Sequence, residues 1–267
     1  MMAGVGTHRP DLVYVGAPNE VWAEVLRRLG VPFWYDMPER FLYSESYRTV
    51  SRETMRWMVA NATLVTVDTE VGRQDWRDLR DDIVVIPHGS KQSDFEPDWN
   101  RLRDKVYYVG SDNPAIDVGF LRAASGAAGS PVQVIGSNWT RDLDASLELL
   151  GWVDGHEIPR MISDATAGLV PYVLDEFTEG VLPTKIYDYF LAGAPVIASS
   201  LPSLRDHFGV YVVDGTLEGI ADALTRAQAL TSQERRALRE FARANTWRCR
   251  FDDVIAALSE RGIELDG

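Results

Sequence analysis

An α/β fold with two Rossmann-like, doubly wound parallel sheets is predicted for this 267-residue chain by three features. Short apolar runs alternate with helix-like segments almost from the first residue. The apolar runs are continuous rather than alternating, as strands covered on both faces require. A polar, charge-mixed stretch at 90–103, containing Pro97, separates one such series from a second.

In the first series, residues 11–15 form an apolar run ending at Gly16 and read as a strand. Asn19 is placed to cap a helix whose Val21, Trp22, Val25, Leu26 and Leu29 share one face, with Gly30 as its stop. A strand at 32–35, a longer helix at 46–60, a strand at 63–67, a helix at 70–79 and a strand at 83–86 follow. The second series has strands at 105–109, 132–135, 147–150, 167–170, 196–198 and 210–213, and ends in helices at 216–229, 232–244 and 247–261. The expected division is a first domain at 1–90, a linker at 91–102, a second domain at 103–245 and a final helical segment at 246–267. In open α/β sheets ligands sit at the carboxyl ends of strands, so the loops there are where chemistry is sought.

Composition narrows the function. The hydrophobic fraction is 45% and the charged fraction 25%, which suits a folded globular chain. A net charge of −13 repels a phosphate backbone, so nucleic acid is not an expected partner. One cysteine, Cys249, excludes a disulfide framework and a cysteine-built zinc site. No apolar run reaches membrane-spanning length and residues 1–10 lack a leader's apolar core, so a cytoplasmic location is expected. The charge is uneven. Residues 1–90 hold 10 Lys and Arg against 13 Asp and Glu, whereas 91–267 hold 17 against 27. Arg48, Arg52 and Arg56 fall at i, i+4 and i+8 of the 46–60 helix, a basic face that could touch anionic lipid peripherally.

The richest stretch runs from Pro171 to Ser200, PYVLDEFTEGVLPTKIYDYFLAGAPVIASS. A polar turn, Thr178-Glu179-Gly180, precedes Pro183 at a helix start, with Gly193 as its stop. Helix N-termini attract phosphate, and Lys185 in the first turn adds a mobile positive charge. Asp188 follows on the same face, where a carboxylate can accept two ribose hydroxyls. Taken alone, this pair equally fits a solvated helix face.

PTKIYDYFLAGAPVIAS resembles the helix that holds the sugar donor in GT-B glycosyltransferases, written P-x-K-[LI]-[YF]-[ED]-Y-x-A-x-G-x-P-V. Residues 149–172, LLGWVDGHEIPRMISDATAGLVPY, resemble the segment that precedes it in that family. VIPHGSKQSDF at 85–95 is similar to the family's inter-domain strand and linker, and Asn245-Thr-Trp247 to the start of its last helix, which crosses back to the first domain. The resemblance implies two Rossmann-like domains and sugar transfer from a nucleotide-sugar donor, UDP-sugar favoured, to a saccharide or lipid-linked acceptor, with no cofactor and no metal. It implies that Lys185 holds the diphosphate, Asp188 the ribose, and that Tyr172 lines the nucleotide site. Trp152 and Val153 stand where the base is read, Thr178, Glu179 and Gly180 near the sugar or phosphates, and Gly110 and Ser111 against the phosphates.

Several departures qualify that picture. The loop at 110–119 has no basic residue and two aspartates, unlike relatives that clamp the diphosphate there with Arg and Lys, and is closer to xanthan-type glucuronosyltransferases. The first domain resembles only the later part of the family's first domain, so a shortened sheet is expected, and a non-catalytic, nucleotide- or partner-binding role is the alternative. Glu39, in a stretch similar to the family's Y-D-x-x-D-D, falls where an inverting relative places its carboxylate base; a solvent-exposed loop residue is the plain alternative. Asp36 reads as structural, His88 as structural or cleft-lining rather than a base, and the D-x-D at 142–144 as an exposed loop.

Overall fold

The computed structural model describes residues 9–141 and 144–264; Asp142 of the D-x-D lies outside them. The chain divides into two compact units, Met1–His88 with Arg250–Gly267, and Gly89–Cys249.

The first unit begins β1 (Val13–Val15), α1 (Glu20–Leu29), β2 (Phe33–Met37), α2 (Arg52–Asn61), β3 (Leu64–Val67), α3 (Glu70–Gln74) and β4 (Val84–Val85). Its sheet is parallel throughout, in the order β1-β2-β3-β4, so it runs one way without reversal. Asn19 caps α1 as expected, accepting from the Val21 and Trp22 amides, and Gly30 ends it in the left-handed conformation that glycine tolerates. The expected apolar face of α1 is only partly buried: Ala23 and Leu26 are inside, while Val21, Trp22 and Leu29 are exposed.

The helix expected over 46–60 is split. Ser51 caps α2 by accepting from the Thr54 amide, and its own amide donates to the Glu20 carboxylate at 2.7 Å. Arg48 therefore precedes the helix and pairs with Glu45, while Arg56 pairs with Asp78. The continuous basic stripe proposed for a lipid surface is not formed. α3 also stops short of 79, because Trp76 turns into the core.

The second unit carries β5 (Lys105–Val109), α4 (Val118–Ala128), β6 (Val132–Ile135), β7 (Leu147–Gly151), α5 (Ile158–Met161), β8 (Ala165–Val170), α6 (Lys185–Leu191), β9 (Val196–Ala198), β10 (Val210–Val212), α7 (Leu217–Gln228) and α8 (Ser232–Ala244). Its six parallel strands are ordered β10-β9-β8-β5-β6-β7. The order reverses at β5, which has β6 on one side and β8 on the other. Loops leaving β5 and β8 must diverge there, opening a crevice. Residues 91–102, expected as a linker, form no helix or strand but lie along this unit: the Arg239 guanidinium bonds the Phe95 carbonyl and the Glu96 carboxylate, and Ser232 donates to the Trp99 carbonyl. The last helix, α9 (Trp247–Ser259), begins in this unit, where the Trp247 amide donates to the Ser90 carbonyl. Its later residues Val254, Ala257 and Leu258 pack with Leu64 of the first unit's sheet.

One side chain locks the reversal. Tyr189 of α6 is fully buried; its hydroxyl donates to the Leu169 carbonyl at 3.0 Å and accepts from the Val109 amide at 2.9 Å. Gly168 makes room, since a Cβ there would fall inside the Tyr189 ring. Tyr189→Phe leaves both backbone groups unpaired and is expected to destabilise this unit by about 1–3 kcal/mol in urea unfolding. A loss below about 0.5 kcal/mol would show that the bridge is dispensable.

Among the described residues, no helix is long and apolar enough to cross a membrane.

Candidate functional site

The crevice at the reversal is built from the ends of β5 and β8 and the start of α6. Strand β5 ends at Val109, and Gly110 turns the chain with φ of +152°. A Cβ at Gly110 would meet the Tyr108 hydroxyl at 2.6 Å and Lys185 Nζ at 2.8 Å, so only glycine lets the loop lie this close to the ammonium. Gly136 in turn admits the Gly110 carbonyl, which a Cβ there would displace. The Trp139 indole N–H donates to that carbonyl at 3.2 Å and its ring meets Tyr108 edge-on. Ser111 and Ser137 hydroxyls are 3.2 Å apart. From β8, the chain pairs Pro171–Val173 with 115–117, fixing the two diverging loops to each other.

Lys185 opens α6 and reaches back across this crevice. Its ammonium donates to the Tyr108 hydroxyl at 3.3 Å and lies 4.4 Å and 5.2 Å from the ring centres of Tyr108 and Tyr172. Aromatic faces favour a cation, but they do not replace water. Burial accordingly pulls the Lys185 ammonium down to about 7, against the pull of Asp188 in the opposite direction. Burial pushes Asp188 up to about 6, with Lys91 and Lys185 opposing. Burial thus brings the lysine and the carboxylate towards each other in proton affinity, which sets this pair apart from a solvated helix face.

The two aspartates of the 110–119 loop do not face this ammonium. Asp112 is paired with Arg141, whose Nε donates at 2.5 Å, and Asp117 caps α4 by accepting from the Phe120 amide. The loop's acidity is thus neutralised by an arginine 29 residues further on.

Val153 packs on the core beside α6, while Trp152 is 71% exposed. Thr178 is fully buried, and its hydroxyl is committed to the turn: it donates to the Val173 carbonyl at 2.6 Å and accepts from the Asp175 amide at 2.8 Å. That hydroxyl is not available to a sugar. Glu179 and Gly180 share its 3-10 turn, Glu179 half-buried and Gly180 buried. The reversal therefore unites Gly110, Tyr172 and Lys185, with Asp188 on the same helix, and adds Tyr108 and Trp139, which sequence reading missed. Tyr108 reads as strand core.

Glu39 lies in the first unit, after β2, and is half-buried; desolvation alone raises its carboxyl. Its neighbour Arg40 is turned to Asp75, with Nε and Nη2 donating to the two carboxylate oxygens at 2.7 and 2.6 Å. Asp36 is structural, as expected: it accepts from Thr66 at 2.6 Å. His88 stands 3.4 Å from Asp68.

A family model described as glycosyl transferase-like matches residues 118–256, more than half of the chain, including Trp139, Tyr172, Lys185 and Asp188. This chain belongs to that glycosyl transferase-like family. Its fold is the GT-B fold. HepE from Anabaena, solved with UDP-glucose, superposes with a TM-score of 0.71 over 94% of this chain and 79% of its own, at 14% identity. S. aureus TarM, solved with UDP, gives 0.61 over 85% of this chain and 50% of its own, at 11% identity. TuaH of Bacillus subtilis (strain 168), named as a teichuronic acid biosynthesis glycosyltransferase, is 25% identical over 167 residues. That match takes in 60% of this chain and 36% of TuaH. The chain thus spans about a third of that relative and half of TarM.

Proposed function

We propose that this chain transfers a sugar from a nucleoside-diphosphate sugar, UDP-sugar first, to a hydroxyl of a saccharide or lipid-linked acceptor. The observation that carries the reading is the Lys185 ammonium at the sheet reversal, set against the rings of Tyr108 and Tyr172, one helical turn from the Asp188 carboxylate. Lys185 meets the diphosphate, Asp188 accepts the ribose hydroxyls, and the loops at Gly110–Ser111 and Trp152–Val153 take phosphate and base. In the transfer, the acceptor oxygen bonds to the sugar's anomeric carbon as the bond to the diphosphate breaks. Nucleoside diphosphate leaves with the bonding pair, and Lys185 stabilises the charge that grows on it. The acceptor's proton passes to a base, for which Glu39 is the proposed carboxylate: partial burial has raised its proton affinity, as a base requires. UDP is favoured because HepE and TarM were solved with it.

The charges give a proton signature. Near pH 8 the empty site holds Lys185 mostly neutral, since its pKa is about 7. A bound diphosphate favours the ammonium, so UDP binding at pH 8 should take up close to one proton. Below pH 6 the sign reverses, because Asp188 starts partly protonated and releases its proton to accept the ribose. Titration calorimetry in buffers of different ionisation enthalpy reads this directly. Absence of UDP binding, or binding at pH 8 without proton uptake, contradicts the assignment. Binding without turnover on any sugar donor would leave a nucleotide-binding, non-catalytic role.

A further inference from the structure

The second unit has another cavity, of about 420 Å³, where α9 begins. All of its wall belongs to that unit, and none of Gly110, Tyr172, Lys185 and Asp188 contributes to it. Three segments build it. Residues 90–92 form one side and are pinned through the buried Ser90. The Ser90 amide donates to the Asn245 carbonyl at 2.7 Å, its hydroxyl donates to the Ala242 carbonyl at 2.6 Å, and its carbonyl accepts from the Trp247 amide at 3.1 Å. Gly89 seats this segment on the helix, since a Cβ there would fall 2.4 Å from the Trp247 nitrogen. The first turn of α9 forms the second side, capped by Thr246, which accepts from the Cys249 amide at 3.3 Å. His156, in the loop after β7, forms the third. Lys91 spans the first and the third: a Cβ on Gly155 would fall 2.4 Å from its Nζ.

The wall is one-sided in its chemistry. Lys91 and Arg248 supply two cations, His156 an imidazole and Trp247 a half-exposed indole, and among the described residues no carboxylate lines the cavity. Among the same residues, none of the three basic side chains forms an ion pair or a hydrogen bond. Arginines elsewhere are matched to carboxylates, as Arg40 is to Asp75, Arg141 to Asp112 and Arg239 to Glu96. A net charge of −13 offers ample carboxylates, and this cavity has none of them.

We propose that this cavity is a second anion site, separate from the crevice, and that it takes the phosphate of a compact organic phosphoester, with Lys91 and Arg248 as its cations. The inference stands without the nucleotide-sugar reading. A guanidinium fork matches two phosphate oxygens, an ammonium acts as a point charge, and the capped end of α9 beside them favours an anion. The space is within the range of small-molecule pockets, about 300–1,000 Å³, so it has room for the group that carries the phosphate. Trp247 gives that group an apolar wall. The protein's acidity disfavours a long polyanion, which would meet repulsion beyond the cavity.

The test is calorimetric titration of inorganic pyrophosphate into the full chain, into Lys185→Met and into the double variant Lys91→Ser with Arg248→Ser. Both side chains of the double variant are exposed, so it should keep the parent Tm. Lys185→Met should retain a pyrophosphate site that the double variant loses, with affinity there falling about tenfold or more. Unaltered binding in the double variant, loss of all binding in Lys185→Met, or no binding by the parent overturns the inference. Binding lost in the double variant but untouched by Lys185→Met leaves this cavity standing and brings down the diphosphate role of Lys185. Two further probes separate the sources of the phosphate. Binding of sn-glycerol 3-phosphate without vesicle binding assigns a soluble phosphoester. Sedimentation with vesicles of phosphatidylglycerol in phosphatidylcholine assigns a lipid headgroup. Either should be lost in the double variant, and binding that survives both substitutions overturns the site. Pyrophosphate bound with neither phosphoester overturns the ligand class.

Discussion

Lys185→Met is expected to lower kcat/KM for sugar transfer roughly 10²–10³-fold, the usual cost of removing one preorganised charge from a developing anion. The same substitution should make the empty protein more stable. The sign follows from linkage. Lys185 titrates near 7 when folded, well below an unfolded lysine, so the folded state bears a penalty for the charged form. That penalty is complete below pH 7 and fades as pH rises from 7 towards 10. Methionine removes it while keeping the contacts with Tyr108 and Tyr172. Because Lys185 keeps some solvent contact, the gain is set at about 1 kcal/mol, or about 2–4 °C in Tm at pH 6.5, shrinking at pH 9. Loss of transfer with an unchanged or lowered Tm at pH 6.5 would mean that the ammonium is solvated and the crevice is not a desolvated anion site.

The second large effect lies in the first unit. The Arg40 guanidinium and the Asp75 carboxylate are each over 90% shielded and joined by two parallel hydrogen bonds. Tyr43 covers the guanidinium at 4.1 Å from its ring centre. Arg40→Met strands a buried carboxylate and should cost about 3–5 kcal/mol in urea unfolding. Arg40→Met with Asp75→Leu should recover most of that, since removing both charges removes the desolvation cost as well. This pair fixes the loop that carries Glu39, so the single variant should also depress transfer more than the double one. Equal losses in the single and double variants would show that packing, not charge, holds the loop.

The two helices of α1 and α6 illustrate what sequence could and could not reveal. Asn19 and Gly30 specify α1 through bonds made within a few residues, and both were readable. Lys185 and Asp188 were readable for the same reason: one helix sets their spacing. The break before α2 was not, because part of what fixes Ser51 is Glu20, 31 residues away. The acidic 110–119 loop looked hostile to a diphosphate only until Arg141 was placed beside Asp112. Thr178 was read for its place near the sugar or phosphates; only its fold shows that the hydroxyl closes its own turn. Tyr108 reaches the crevice through the sheet reversal, which no local spacing encodes.

The Tyr189 bridge also bears on how the unit assembles. The hydroxyl joins Val109, 80 residues earlier in sequence, to Leu169, 20 residues earlier. Both strands must be in register before the ring finds its two partners. A contact spanning that much chain carries a large closure cost and belongs late on the folding route. Lys185 sits one turn before Tyr189 on the same helix, so the crevice is completed by the event that completes the sheet. A partly folded chain holds the motif without this geometry, so under the proposed function nucleotide binding would report that folding has finished.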